Sequence, residues 1–399
     1  MTTTTLPASR PLLHYAPLLV SFIVAVAYAL PMGILGVAWD QIRTDLNQPY
    51  ERLGILLTAG LIGRVSMTLF GGQMLARLGV WRCMMIGIIG MMIGFLFYLT
   101  ASSWEALLLA ALVAALGNGV MDIGLTLVVV SRYRAGTLNW MHAVFGVGLI
   151  IGPLLLTYVN DMGWGWRAAY LPPLVLVGVG LIAVLFTRNE WGLPVHRNTD
   201  GTENKHGPSV FSTLRQPVVW LWVAIAFIYG GIEVSVQQLA KDTLVFERGI
   251  GLETAAYWLS LFGLAFTIGR MVSSFLMRYP PQVLLRVYAA GTVIGALVLL
   301  IPNPTAALIG LLILGSAMAG FFPTQLAMLP GRVGAAHAPN ALGFTISAVS
   351  VGLTVLPGLG AWLASINGFG VIPPFFLVIT IALLAITFAV RPTTPAQTA

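Results

Sequence analysis

Apolar runs of about twenty residues, the length at which an α-helix crosses the hydrocarbon of a bilayer, recur along this chain from one end to the other. With 58% apolar and 8% charged residues over 399 positions, it stands apart from soluble domains, in which about 25% of residues are charged. The fold class is an all-α membrane protein. Twelve spans are predicted, at 14–40, 52–76, 81–101, 104–130, 138–160, 167–187, 217–240, 253–277, 283–301, 304–328, 339–364 and 371–390. The first follows Arg10 and His14 and stays apolar to Trp39, too long for the h-region of a cleaved signal peptide, so it is expected to be retained as a span.

An even number of spans puts both termini on one side. On that side fall thirteen cationic residues: Arg10, Arg77, Arg82, Arg132, Arg134, Arg188, Arg197, Lys205, Arg215, Arg278, Arg286, Arg332 and Arg391. Five fall opposite: Arg43, Arg52, Arg167, Lys241 and Arg248. The positive-inside rule then places both termini in the cytoplasm, and the expected location is a bacterial cytoplasmic (inner) membrane. This bias accounts for the formal net charge of +7, so no nucleic-acid partner is implied. The one long hydrophilic segment, 188–216, has the Gly, Pro and charge content of a flexible linker. The expected domains are therefore a six-helix half at 1–187, a cytoplasmic linker, and a second six-helix half at 217–399. No GxxxxGK[ST] loop, HExxH or paired metal-ligand cysteines occur. The lone Cys83, beside Arg82, reads as an inert thiol. An ATPase or metalloenzyme is not expected, nor any cofactor, metal or catalytic residue.

The halves are related. LIGRVSMTLF at 61–70 returns as TIGRMVSSFL at 267–276, which aligns Gly63-Arg64 with Gly269-Arg270. VGLIIGP at 147–153 returns as VGLTVLP at 351–357, aligning Gly148 with Gly352 and Pro153 with Pro357. The offsets are 206 and 204, so the register holds. VAVAY at 24–28 and VAIAF at 223–227 add a weaker match. Two parallel repeats of six helices point to a solute site near the midplane between halves.

The stretch LGNGVMDIGLTLVVV at 116–130 places Asn118, Asp122 and Thr126 four apart, on one helix face. An aspartate deep in an apolar helix is expensive and marks a water-filled pathway or a partner. Four charges fall well inside spans, Arg64, Asp122, Glu233 and Arg270, and they balance. Depth counted at about 1.5 Å per residue puts Asp122 and Arg270 at one level, with His142 at similar depth. Asp122 is therefore expected to pair with Arg270 or His142, a proton deciding between them; the alternative for His142 is helix packing. Glu233 shares a face with Tyr229 and Gln237 and reads as a substrate ligand, an outer proton site or a structural partner of Arg64. Arg64 reads as architectural. Trp39, Trp140, Phe266, Phe321 and Phe322 are aromatics that could stack on a ring, set against ordinary packing. Gly148 and Gly152 allow close helix contact, and Pro31, Pro153, Pro323 and Pro357 are expected to kink their spans.

On these residues the chain resembles the major facilitator superfamily, with its fold of twelve transmembrane helices in two pseudo-symmetric halves. GQMLARLGVWR at 72–82 is similar to the GxLaDrxGrkr signature of that superfamily, with Gly72, Arg77, Gly79 and Arg82 in place. The resemblance implies a structural or gating role for them. Ala76 stands where the signature has an aspartate that latches the halves together, so a latch here would have to be built differently. Within the superfamily the chain resembles the fucose-permease-like sugar:proton symporters. Gly117, Gly119 and Asp122 match the GxGxxE/D pattern of that group, and Leu138-Asn139, Tyr229, Gly231, Gly269-Arg270 and Pro323-Thr324 match as well. The resemblance implies that Asp122 is the proton-binding acid. It departs at Gly36, where fucose permease has an acid, and at Glu233, where it has an amide.

The expected function is proton-driven symport of a small neutral polar solute such as a sugar, by alternating access. The partners are solute, proton and membrane lipid, and the chain is expected to act as a monomer. Two arginines balanced by two carboxylates disfavour a charged solute, leaving Asn118, Asn139, Gln237, Gln325 and Asn340 as hydrogen-bonding candidates. A proton-coupled exporter of drugs or other amphipathic compounds is the alternative within transport. A transporter-like receptor is the third reading, set behind the others by short termini and linker.

Overall fold

The computed structural model describes residues 15–49, 52–134, 136–192 and 208–390. Among them no β-strand occurs. The first six spans are α1 (Ala16–Asp45), α2 (Arg52–Leu78), α3 (Val80–Thr100), α4 (Trp104–Arg132), α5 (Thr137–Asp161), and the pair α6 (Gly165–Ala168) and α7 (Leu171–Phe186). After a short α8 (Val210–Leu214) come α9 (Pro217–Phe246), α10 (Leu252–Leu276), α11 (Pro281–Leu300), α12 (Pro304–Ala319) with α13 (Phe321–Val333), α14 (Ala338–Asn367) and α15 (Ile372–Thr387). Among the described residues twelve segments are long and apolar enough to cross a membrane; this is an integral, multi-pass membrane protein.

Helix ends depart from the apolar boundaries in an instructive way. α1 continues past residue 40 to Asp45, and α9 past 240 to Phe246. Apolarity marks where the hydrocarbon lies, whereas a helix runs on through polar residues such as Arg43, Lys241 and Asp242 until a cap stops it. The tenth span is broken at Gly320. Pro323 lacks an N–H, and its ring collides with the carbonyl four residues back, that of Ala319, where α12 ends. Pro323 thus interrupts its span, with α13 starting two residues before it at Phe321, while Pro31, Pro153 and Pro357 lie inside α1, α5 and α14.

By their contacts the residues form two units, Met1–Tyr133 with Val144–Gly207, and Arg134–Ala143 with Pro208–Ala399. The first turns of α5 thus belong with the second unit. Of the expected flexible linker, 193–207 lies outside the described residues, and both described ends are folded. Arg188–Trp191 forms a 3-10 turn with Trp191 buried, and Arg132 donates to the carbonyls of Glu190 and Gly192. At the other end Ser209 caps α8, whose Thr213 hydroxyl bonds His337 Nδ1 at 2.9 Å.

Inside each unit the same helix contacts recur. A Cβ on Gly63 would lie 2.7 Å from the Leu112 carbonyl oxygen and 3.2 Å from Ala115. One on Gly269 would lie 2.9 Å from the Ser316 carbonyl oxygen and 2.7 Å from Ala319. The repeat pairs Leu112 with Ser316 and Ala115 with Ala319 at an offset of 204, so α2–α4 and α10–α12 are one packing made twice. Likewise Gly148 packs on Val26 and Ala29 of α1, and Gly352 on Phe227 of α9. The helix starts match too: Ser103 Oγ accepts from Ala106 N–H at the start of α4, and Asn303 Oδ1 from Ala306 N–H at the start of α12. Without a hydrophobic force between helices in lipid, such close backbone approach is what holds them.

Gly63→Ala and Gly269→Ala should each destabilise the protein by roughly 1–3 kcal/mol, because the added methyl meets backbone that cannot turn aside. Gly60→Ala, on the same helix with nothing within 4 Å of its Cβ, should be neutral. Thermal unfolding in detergent checks this; equal midpoints for all three variants would refute the close-contact argument.

Candidate functional site

The first unit builds an ion pair from the stretch that carries the polar stripe. Gly117 and Gly119 lie roughly 200° apart around α4. A Cβ on Gly117 would meet the Met91 nitrogen of α3 at 2.6 Å, and one on Gly119 would meet the Arg64 carbonyl of α2 at 2.8 Å. The two glycines therefore admit a neighbour on each side and bring the backbone of Arg64 against α4. One turn further along, Asp122 Oδ2 accepts from Arg64 Nη2 at 2.8 Å, the length of a charge-assisted hydrogen bond. The side chains are 22% and 23% exposed, so the pair is partly desolvated. Arg64 Nη1 donates to the Tyr28 hydroxyl at 3.0 Å and its guanidinium lies 5.7 Å from the Tyr28 ring centroid, while Phe145 flanks that ring. On the stripe, Asn118 and Thr126 are buried, and Asn118 Oδ1 and Thr126 Oγ1 have no hydrogen-bond partner among the described residues.

The second unit builds its pair differently. Arg270 follows Gly269, which seats α10 on α12, as Arg64 follows Gly63. Its Nη2 stands 4.0 Å from Glu233 Oε1 of α9, a Coulomb contact too long for a hydrogen bond. Its Nη1 donates to the His142 carbonyl at 3.0 Å, and the guanidinium covers the Phe266 ring at 4.2 Å. Tyr229, one turn before Glu233, is buried and stacks on Phe321 and Phe322 with centroids 5.4 and 5.6 Å away. Those two phenylalanines start α13, just past the break of the tenth span. The His142 ring stands edge-on to Phe322 at 5.9 Å.

These contacts correct the expected charge pairing. Asp122 pairs with Arg64 rather than Arg270 or His142, and Arg270 with Glu233. Equal depth was an incomplete guide, since depth along a helix says nothing about which way a side chain points around it. Arg64, expected to be architectural, is the direct partner of the carboxylate. Tyr28 went unnoticed as a site residue; the available signal was a hydroxyl-bearing aromatic in the apolar VAVAY run where its repeat has Phe227. The arginines occupy repeat-related positions, but the carboxylates do not: the repeat sets Leu326 opposite Asp122 and Ile34 opposite Glu233.

The other candidates divide. Asn139 is fully buried and its amide has no partner among the described residues, and Gln237 is exposed. Gln325 donates to the Trp222 carbonyl at 2.8 Å while Trp222 Nε1 donates back to the Gln325 carbonyl at 3.0 Å. Asn340 donates to the Pro208 carbonyl at 2.9 Å. Both amide donors are thus held by the framework. Trp39 packs edge-on to Trp104, eleven residues and about 16 Å along α1 from Tyr28. Trp140, 39% exposed, lines a cleft with Arg134 and Arg278. Gly72 is buried in α2, and Gly79 takes φ +77°, a turn between α2 and α3 that favours glycine. Arg77 and Arg82 are exposed and have no ion pair among the described residues. Pro153 and Gly152 pack on α1 at Gly33, and Pro357 is buried in α14.

Membrane-length helices fall into two related sets, each holding an ion pair between its helices. The chain belongs to the Major Facilitator Superfamily, which it matches over residues 21–309. It is 18% identical to the glucose/mannose transporter GlcP of Bacillus subtilis, over 93% of this chain and 94% of that one. It is 26% identical to multidrug resistance protein D of Escherichia coli over 40% of each. Among solved structures it superposes on FucP, the Escherichia coli fucose:proton symporter, with a TM-score of 0.78 at 16% identity, covering 95% of this chain and 100% of that one.

Because Arg64 and Asp122 are bonded and partly buried, removing either should cost more than removing both. A double-mutant cycle of Asp122→Asn and Arg64→Gln should give a coupling of about 1–3 kcal/mol, above the 0.2–1 kcal/mol or so of exposed pairs. Thermal unfolding of the four proteins measures it, and additive effects would show that the contact contributes nothing.

Proposed function

We propose that this superfamily transporter carries out proton-coupled symport of a small neutral polar solute such as a sugar, by alternating access. The observation that carries the reading is that each unit matches its own intramembrane arginine with its own carboxylate, leaving no net charge for an ionic solute to neutralise. Each unit keeps neutral hydrogen-bonding capacity of its own, at Asn118 and Thr126 in the first and at Asn139 in the second, where Tyr229 and its neighbouring phenylalanines also offer ring faces. The likeness to GlcP and FucP, a glucose/mannose transporter and a fucose:proton symporter, supports the solute class.

Asp122 is assigned the coupled proton. Protonating it breaks the charge pair with Arg64, whose fork then keeps only Tyr28, and deprotonation restores the pair. Glu233, Arg270 and His142 form the second set of coupling groups. Asp122→Asn should abolish accumulation driven by a pH gradient in proteoliposomes while sparing solute exchange. Undiminished uphill uptake at normal protein levels would remove Asp122 from the mechanism.

The exporter reading is supported by the partial likeness to multidrug resistance protein D and by the long Arg270–Glu233 contact, which leaves Glu233 open to an organic cation. Screening sugars against cationic dyes in the same liposomes separates the two; saturable transport of dyes alone would favour export. We further assign the termini and 188–216 to the cytoplasm of an inner membrane. A Glu203→Cys probe in a Cys83→Ser background should resist impermeant thiol reagents on intact cells, and labelling from outside would reverse the orientation.

A further inference from the structure

Several arginines near the helix ends have backbone carbonyls to bond. Arg132 reaches Glu190 and Gly192, Arg167 reaches Ala101, Arg248 reaches Leu299 and Ile301, and Arg286 reaches Val390. Arg134 and Arg278 are placed differently, together at one cleft. Arg134 and Arg278 are exposed, and neither has a carboxylate partner among the described residues. The Arg278 guanidinium reaches the hydroxyl of its neighbour Tyr279 at 3.4 Å and lies 5.1 Å from that ring's centroid. Both line one cleft of about 370 Å³, with Trp140, Ser274, Phe275 and Met277. All belong to the unit formed by Arg134–Ala143 and Pro208–Ala399.

The cleft opens beside an apolar surface. Leu264, Ile268, Val272 and Phe275 follow one another at spacings of four, four and three along α10, so they form one stripe, and all four are exposed, Phe275 by 68%. Tyr279 and Trp140 add aromatic rings at the end of the stripe, where amphipathic rings sit at the headgroup level. Two guanidiniums without a carboxylate partner among the described residues, at the head of an apolar stripe, match a molecule with one anionic end and a long apolar body. A basic pocket at the ends of membrane helices recognises acidic headgroups, and a guanidinium fork suits the oxygens of a phosphate diester. An amine-bearing headgroup would bring a third cation to the two arginines.

We propose that the Arg134–Arg278 cleft binds the phosphodiester headgroup of an anionic phospholipid, whose acyl chains lie along the Leu264–Phe275 stripe of α10. The test is native mass spectrometry of the full-length protein titrated with phosphatidylglycerol, phosphatidylethanolamine or inorganic phosphate. Wild type should retain phosphatidylglycerol in preference to phosphatidylethanolamine. Arg134→Gln/Arg278→Gln should weaken that binding about 30-fold, since each such arginine contributes a factor of about five. Arg134→Lys/Arg278→Lys should lose less, and Phe275→Ser should weaken phosphatidylglycerol without affecting phosphate. Should the double Gln variant fail to fold, the two single Gln variants carry the same test. Equal retention of both lipids, unchanged binding in the Gln variants, or inorganic phosphate binding as tightly as phosphatidylglycerol would overturn the proposal, the last by making the cleft a plain anion site.

Discussion

A guanidinium and a carboxylate placed inside apolar helices need each other, because either one alone in low dielectric is far more costly than the bonded pair. Much of this protein's local architecture follows from meeting that need twice. Arg64 reaches Asp122 only because Gly63 lets α2 lie against α4 and Gly119 admits the Arg64 backbone. Arg270 reaches Glu233 from a helix that Gly269 seats on α12 in the same manner. Each arginine also has a second acceptor at hand, the Tyr28 hydroxyl or the His142 carbonyl. A carboxylate that took up a proton would therefore leave its arginine with one bond remaining rather than none.

The two pairs are not copies. The arginines share a repeat position, yet the acids sit on α4 in one unit and on α9 in the other. One contact is a short hydrogen bond and the other a longer Coulomb contact shared with a backbone carbonyl. The packing, by contrast, is copied closely, down to the residues that meet Gly63 and Gly269. A duplicated frame with unlike charges in it is a sensible division: helix contacts tolerate little change in lipid, since small residues and backbone leave no slack, while the charged groups held between them are free to differ.

The break in the tenth span shows how one residue serves both ends. Pro323 terminates α12 at Ala319, and the chain restarts with Phe321 and Phe322 turned onto Tyr229. Gly320 at the junction sits so close to Ser273 and Tyr288 that a side chain there would collide with both. A local backbone rule thereby brings two phenylalanines onto Tyr229, one turn before Glu233.

Twelve helices, their order, the two repeats and the charged residues inside the bilayer were all legible in the sequence, because each is set by local chemistry. Apolar length dictates a span, Gly-Arg followed by the same register 206 residues later marks a duplication, and a lone aspartate in a leucine-rich run must have a partner. Which partner it has was decided by the tertiary structure. Helical spacing gives each residue a position along its own helix, but the azimuth of each helix about its own axis is set by which glycines meet which carbonyls on other helices. Those contacts turn Asp122 toward Arg64, bring Tyr28 to the same guanidinium, and leave Gln325 and Asn340 bonded to backbone. They involve residues tens to hundreds of positions apart, and no local pattern encodes them.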